Sequence, residues 1–340
     1  MKGKRILALL LAGALLLALG GCKGDREDTE PEISSAPEEV SDPNWPVEMG
    51  ELTLTERPER ILSLSPALTE LICELGGGDR LVGVSDYCDY PDWVEKLPGC
   101  GSALAPDREA VEDLRPQVVF VSAPLSASTQ EWLEDLGAQV AVLGRAESMD
   151  ELEENYFSAA TILDGIADGE RNANEVFGEL RARFDALTDA AEGVVKPLGA
   201  IYLRQAPLMM ATGDTFEGEL LEKIGFENDA AAFTDWQYPA DQAVNLYPDV
   251  IFYDASVGED YFGTTQVYST TDAYKNKLLF PVEGIAFERQ SARMFDELER
   301  MFQEVYPDIP IREPSSRTDE PEDGEADDGL LDLDDATKVE

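Results

Sequence analysis

The segment EAVEDLRPQVVFV, from Glu109 to Val121, is written again 132 residues later as DQAVNLYPDVIFY, from Asp241 to Tyr253. Each copy opens with a carboxylate, places a Leu five residues on and a Pro seven residues on, and ends in a β-branched and aromatic run. The Pro ends a helix, and the run after it suits a buried strand. Each copy therefore reads as a short helix followed by a strand. A chain that repeats this unit at such a distance is expected to contain two α/β lobes of like construction.

The surrounding pattern agrees. RILSLS (Arg60–Ser65) is a short apolar strand that runs into Ser65-Pro66, a capping residue followed by Pro at the first helical position, and the helix ALTELICEL ends at Gly76-Gly77-Gly78. RLVGVS and QVAVLG read as further strands, and after Pro197 the alternation restarts with GAIYLR, MMATG, EGELLEKIG and KLLFPV. Strands alternating with helices predict mainly parallel sheets. Between the two runs, Val176, Leu180, Phe184 and Leu187 fall at helical spacing without a Pro. One long helix over 168–193 is expected to join a lobe at 57–167 to a lobe at 194–312, with a cleft between them.

The ends differ in character from this middle. Lys2, Lys4 and Arg5 precede fourteen mostly apolar residues, Ile6 to Leu19, and then Leu19-Gly20-Gly21-Cys22. That is the length of a secretory signal and short of the ~20 residues a spanning helix needs. Residues 1–21 are expected to be a lipoprotein signal peptide and Cys22 the lipidated residue. Eight acids, two bases and four Pro between Lys23 and Pro46 predict a flexible acidic tether, placed at 22–56. Twelve acids against two bases predict a disordered tail at 313–340.

A net charge of −45 opposes binding to nucleic acid. The chain has no histidine, which excludes Ser-His-Asp and Cys-His nucleophiles and His-ligated zinc. Cys73 lies in an apolar helical run and reads as a core thiol. Cys88 and Cys100 flank DYPDWVEKLPG, and either a disulfide or two free thiols fits that placement. No metal site is expected.

Taken together, the lipobox, the acidic tether, the repeat, the connector, Tyr87-Cys88-Asp89-Tyr90-Pro91 and Phe287-Glu288-Arg289-Gln290-Ser291-Ala292-Arg293 resemble the type III solute-binding proteins of ABC importers. The resemblance spans residues 57 to 310 and is nearest the cobalamin-binding subgroup. It implies a non-enzymatic, monomeric receptor, anchored outside the cell membrane through Cys22, that passes a bulky metal chelate to a permease and its ATPase. It implies Tyr87, Tyr90, Trp236, Tyr238, Phe287 and Arg289 as ligand groups, and Glu109 and Asp241 as carboxylates that meet the permease. Aromatic faces suit the flat corrin ring, and an Arg and hydroxyls suit its amide fringe. The sequence departs from the subgroup at Ala103–Leu104 and at Ser122, where pocket tryptophans would fall. A ferric siderophore or haem is the alternative cargo, and an exported enzyme acting on a bound chelate is the alternative class.

Overall fold

The structure, a computed structural model, describes residues 42–312. The signal peptide, Cys22, most of the tether and the acidic tail lie outside the described residues. Within the tether's expected span the chain already has structure. β1 (Val47–Met49) and β2 (Leu52–Leu54) form an antiparallel hairpin around Gly50, which has φ +61°. The physical reason is alternation. Val47, Leu52 and Leu54 are buried while Glu48, Glu51 and Thr53 face out, so an acidic composition still carries a one-sided strand pattern. The tether boundary at residue 56 is corrected accordingly, since residues 42–56 belong to the folded unit.

The first lobe continues through β3 (Ile61–Ser63), α1 (Pro66–Glu74), β4 (Leu81–Val84), a small hairpin of β5 (Gly101–Ser102) and β6 (Ala105–Pro106), α2 (Arg108–Leu114), β7 (Val118–Val121), α3 (Ala127–Asp135), β8 (Gln139–Val142) and α4 (Met149–Asp164). Its four-stranded sheet has the order β4-β3-β7-β8 and is parallel throughout. α5 (Ile166–Ala191) follows as one uninterrupted helix of 26 residues, about 39 Å long at 1.5 Å per residue. The second lobe holds β9 (Leu198–Gln205), β10 (Met209–Met210), α6 (Phe216–Lys223), β11 (Phe226–Asn228), β12 (Val250–Asp254) and β13 (Leu279–Val282). β11, β12 and β13 pair in parallel in this sheet, and only β10 runs antiparallel, along β9.

The repeated unit explains why the lobes share a core. In each copy the strand alternates between two buried faces. Val118 and Phe120 face the main core, as do Val250 and Phe252, while Val119, Val121, Ile251 and Tyr253 face the outer layer of their own lobe. The main core also takes Ala173, Phe177, Leu180, Phe184, Leu187 and Ala191 from α5, spaced three and four residues apart. Phe177 packs on Tyr156 of α4 with ring centroids 5.1 Å apart, and Phe184 meets Phe295 of the last helix, Ala292–Val305, at 6.3 Å. The connector thus contributes one apolar stripe to both lobes and is fixed along its length.

α5 starts from Gly165, whose φ of +88° only glycine adopts without strain. A Cβ there would lie 2.4 Å from the Asn44 Cβ. Asn44 accepts from the backbone N–H groups of Ala167 (3.0 Å) and Asp168 (2.9 Å) through its Oδ1, so a residue from the N-terminal segment caps the connector.

The cysteines are unbridged among the described residues. Cys88 belongs to the main core, where its Sγ lies 3.2 Å from Thr69 Oγ1, whereas Cys100 packs in the outer layer with Val111 and Val119. The sheet separates them, so the possible Cys88–Cys100 disulfide is corrected to two free thiols. Burial pushes the Cys73 thiol up to about 12 and the Cys100 thiol up to about 11, which keeps both protonated.

Candidate functional site

The carboxyl ends of both parallel sheets turn toward one seam, the position where open α/β sheets bind ligands. On the first-lobe side the loop after β4 carries Tyr87, 69% exposed, and Tyr90, 38% exposed. The loop is tied down at its start. Ser85 N donates to Ser63 O (2.8 Å), Asp86 N donates to Gly101 O (2.9 Å), and Cys88 N donates to Ser85 O (3.1 Å). Cys88 points into the core, which turns its neighbour Tyr87 outward. At the tip of the β5–β6 hairpin, Leu104 is 99% exposed and offers an apolar surface where the resemblance expects a Trp.

On the second-lobe side, Arg204 at the end of β9 stacks over Trp236 at 4.9 Å from the ring centroid and pairs with Glu288 at 2.8 Å. Trp236 and Asp235 both have φ near +60°. Side chains hold this strained pair in place, with Trp236 N donating to Thr212 Oγ1 (3.1 Å) and Asp235 N to Asp214 Oδ2 (2.9 Å). Gly284 sits against Tyr202 and Asp254, where a Cβ would come within 1.8 Å of the Asp254 carboxylate.

The lobes meet through charged groups. Glu70 of α1 is fully buried and receives Arg289 Nη1 (2.8 Å), Ser291 Oγ (2.7 Å) and Arg293 Nε (3.1 Å) from the second lobe. Arg145, after β8, reaches the other way to Glu217 and to the Glu288 carbonyl. Burial raises the Glu217 carboxyl above its ordinary value, and Arg145 opposes the rise. Burial likewise raises Glu288, against Arg204 and the donated Tyr202 hydroxyl. Burial alone would lower the Arg289 guanidinium, but its bonds to Asp89 and Glu70 outweigh that and raise it.

The six expected ligand residues divide. Tyr87, Tyr90 and Trp236 lie at the seam with surface to offer. Phe287 and Tyr238 do not. Phe287 is completely buried, edge-on to Tyr202 at 4.9 Å, and Tyr238 is buried against Phe233 at 4.6 Å. Both are corrected to core residues, because each ring is consumed by packing that the sequence does not display. Arg289 is at the seam, but its side chain is 13% exposed and its guanidinium is engaged by Glu70, Asp89 and the Tyr87 carbonyl. It fastens the lobes through Nη1 and Nη2.

Glu109 is exposed in the first turn of α2, after the N-cap Asp107. Asp241 is exposed just before a 3₁₀ turn, Ala243–Asn245, so the second copy of the unit has a tighter turn where a helix is expected. Both flank the carboxyl ends of strands. Asp107 N donates to Cys100 O and Cys100 N to Val84 O at the end of β4, while Tyr238 N donates to Leu208 O beyond β9.

Sequence reasoning missed Glu70, Arg145, Arg204 and Glu217 as seam residues. One signal was present. Glu70 and Glu74 stand four apart within the apolar run of α1, which puts two carboxylates on one helix face. A polar concavity of about 570 Å³ lies elsewhere, at the start of α5, lined by Asn44, Trp45, Arg57, Asp164 and Arg171 among others. It adjoins the amino ends of the first-lobe strands, where Asp164 pairs with Arg57 and Arg80, and is remote from the seam.

The profile of the periplasmic binding protein family matches residues 61–282. An ABC transporter substrate-binding lipoprotein of Bacillus subtilis is 27% identical over 317 residues, covering 90% of this chain and 98% of its own length. A vitamin B12-binding protein of Yersinia pestis is 26% identical over 273 residues, covering 75% of this chain and 89% of its own. Among solved structures, the periplasmic vitamin B12 binding protein of Vibrio cholerae superposes with a TM-score of 0.60 at 22% identity, covering 74% of this chain and 97% of its own. The periplasmic heme binding protein of the same organism gives 0.64 at 23%, with 73% and 99% covered. At these identities the structural likeness concerns the fold.

Proposed function

Because this chain belongs to the periplasmic binding protein family, and is the substrate-binding component of an ABC transporter, we propose that it captures a corrinoid between its lobes. Its working partners are accordingly a permease and an ATPase. The observation that carries the cargo reading is the pair of exposed tyrosines, Tyr87 and Tyr90, set across the seam from Trp236 under Arg204. Aromatic and guanidinium faces suit a broad, partly apolar disc, and Leu104, exposed at the hairpin tip, adds apolar surface to the first lobe. Relatives named for vitamin B12 binding support the same reading. A ferric chelate or haem is the second reading. It is favoured by the free phenol of Tyr87, a hard oxygen donor suited to ferric iron, and by Leu104 and Ser122 standing where tryptophans are expected.

Titration of the purified protein with cobalamin, cobinamide, hemin and a ferric hydroxamate tests both readings through quenching of Trp and Tyr fluorescence. A corrinoid is expected to saturate at one per chain with a Kd below ~100 μM, which corresponds to ~5.5 kcal/mol. Saturation by hemin or the hydroxamate, with neither corrinoid bound at that concentration, transfers the function to the second reading.

The chain acts outside the cytoplasm, and we assign its anchor to a lipid on Cys22, after Leu19-Gly20-Gly21. Cys22→Ser is expected to move the protein from the membrane to the soluble exported fraction. Retention of the variant on detergent-free washed membranes would show that something else holds it there.

A further inference from the structure

Six consecutive residues of the second lobe, Glu288 to Arg293, all bond to the first. The Glu288 carbonyl accepts from Arg145, and Arg289 donates to Glu70, to Asp89 and to the Tyr87 carbonyl (3.3 Å). Gln290 exchanges two hydrogen bonds with the backbone of Ala146, at 2.9 and 2.6 Å. Ser291 donates to Glu70, and Ala292 N donates to Glu74 at 2.9 Å. Arg293 donates to Glu70 and lies 4.1 Å over the Tyr90 ring. Gln290 adopts φ +57° to do this, a conformation that a non-glycine residue holds only when its surroundings fix it.

These bonds converge on the loop that carries the exposed tyrosines. The loop is tied to its own lobe by backbone bonds at Ser85 and Asp86 and by the Cys88 thiol against Thr69. Beyond Cys88, the contacts at Asp89 and on the Tyr90 ring come from Arg289 and Arg293. The two arginines are in turn held by one buried carboxylate, Glu70.

We infer that Glu288–Arg293 is a latch, with Glu70 as its positioning residue, and that it sets the geometry of the tyrosine loop from across the seam. Lobe docking and loop order are then a single event. Separating the lobes removes the braces of Asp89 and Tyr90, so whatever spreads the lobes loosens the loop's hold on a cargo without touching the cargo. The consequence for cargo rests on the reading of Tyr87 and Tyr90 as ligand groups. The latch itself stands on the bonds alone.

Hydrogen exchange on the full chain, read by mass spectrometry, separates the two. Glu70→Gln removes the charge that gathers both arginines and keeps the side chain's size. Exchange in peptides covering 85–91 and 288–293 is expected to rise about tenfold or more, while peptides covering β7 and β12 keep wild-type protection. Arg289→Met, which leaves Glu70 paired with Arg293, is the milder second variant and is expected to loosen the same two segments. Wild-type protection of 85–91 in both variants overturns the latch. So does equal deprotection of β7 and β12, which would make Glu70 a general stabiliser of the fold. In parallel, cobinamide affinity is expected to fall about tenfold in Glu70→Gln. If wild-type protein does not bind cobinamide, the cargo reading fails while exchange at 85–91 still decides the latch.

Discussion

A chain carrying both Glu109→Lys and Asp241→Lys is expected to fold and bind cargo as the wild type does, and to lose uptake by two or more orders of magnitude. Both carboxylates are exposed, and among the described residues neither has an ion pair or a hydrogen bond. Their replacement therefore costs the fold little, within ~0.5 kcal/mol at an ordinary surface site. The reversal at Glu109 removes a macrodipole contribution of about 0.3–1 kcal/mol in the first turn of α2 and sets a cation against the same dipole, so the stability cost there reaches up to about twice that figure. At a permease surface that presents arginines the effect is larger. Each charge-assisted contact is worth about 1.5–3 kcal/mol, so losing two weakens docking by roughly 10²–10⁴-fold, before repulsion is added. Uptake of labelled cargo by cells, set beside cargo affinity and Tm of the purified variant, checks this. Restored uptake on reversing the facing permease charges would identify the contact directly. Normal transport by the double reversal, or a loss confined to cargo affinity or Tm, would reduce the repeated carboxylates to ordinary surface acids.

The strand half of the repeat was legible because both copies write a continuous apolar run after a Pro, the pattern of a strand buried on two faces. The helix half was legible only once. Asp107 caps α2 and Arg115 ends it in the left-handed region, whereas the second copy has eight residues between Pro239 and Pro248 and closes as a 3₁₀ turn. α5 was legible because its apolar stripe runs from Ala173 to Ala191, about five turns, without a Pro. The seam was harder. An aromatic in a motif does not reveal whether its ring meets a ligand or another ring, and Phe287 meets Tyr202. Twelve residues between Cys88 and Cys100 do not reveal which face of the sheet each occupies. Glu70 interrupts an apolar helix face, which normally marks the solvent edge, and its counter-charges lie more than 200 residues away. Long-range charge pairing has no local period, so the spacing of Glu70 and Glu74 marks a shared helix face without naming its partners.

The same seam sets the second large effect. Glu217 is fully buried at the start of α6, its Oε2 has no hydrogen-bond partner, and Arg145 is its one ion-pair partner among the described residues. Arg145→Met removes that cation and leaves a buried carboxylate unpaired. Removing one member of a buried pair costs about 3–5 kcal/mol, and the low end applies here because Arg145 is 45% exposed and water shares its charge. The variant is thus expected to lose ~3 kcal/mol at neutral pH. The sign with pH follows from Glu217 itself. Burial already raises its carboxyl above the ordinary 4.5, and without Arg145 the folded-state value rises further. A group raised in the folded state stabilises fully below its unfolded value and loses that contribution as pH rises through the folded one. The deficit of Arg145→Met should therefore be small near pH 4 and grow toward neutrality. Glu217→Gln in the same chain removes the charge and should recover most of the loss at pH 7. Urea unfolding of the single and double variants at both pH values gives these differences directly. A deficit that does not change with pH, or one that Glu217→Gln does not relieve, would place the role of Arg145 in its bond to the Glu288 carbonyl alone. The expected outcome places a buried carboxylate of the second lobe under the control of an arginine of the first, the mirror image of Glu70 under Arg289 and Arg293. Each lobe then satisfies a charge that the other has buried. On that arrangement, whatever spreads the lobes has to break both buried pairs together, Glu70 with Arg289 and Arg293 and Glu217 with Arg145.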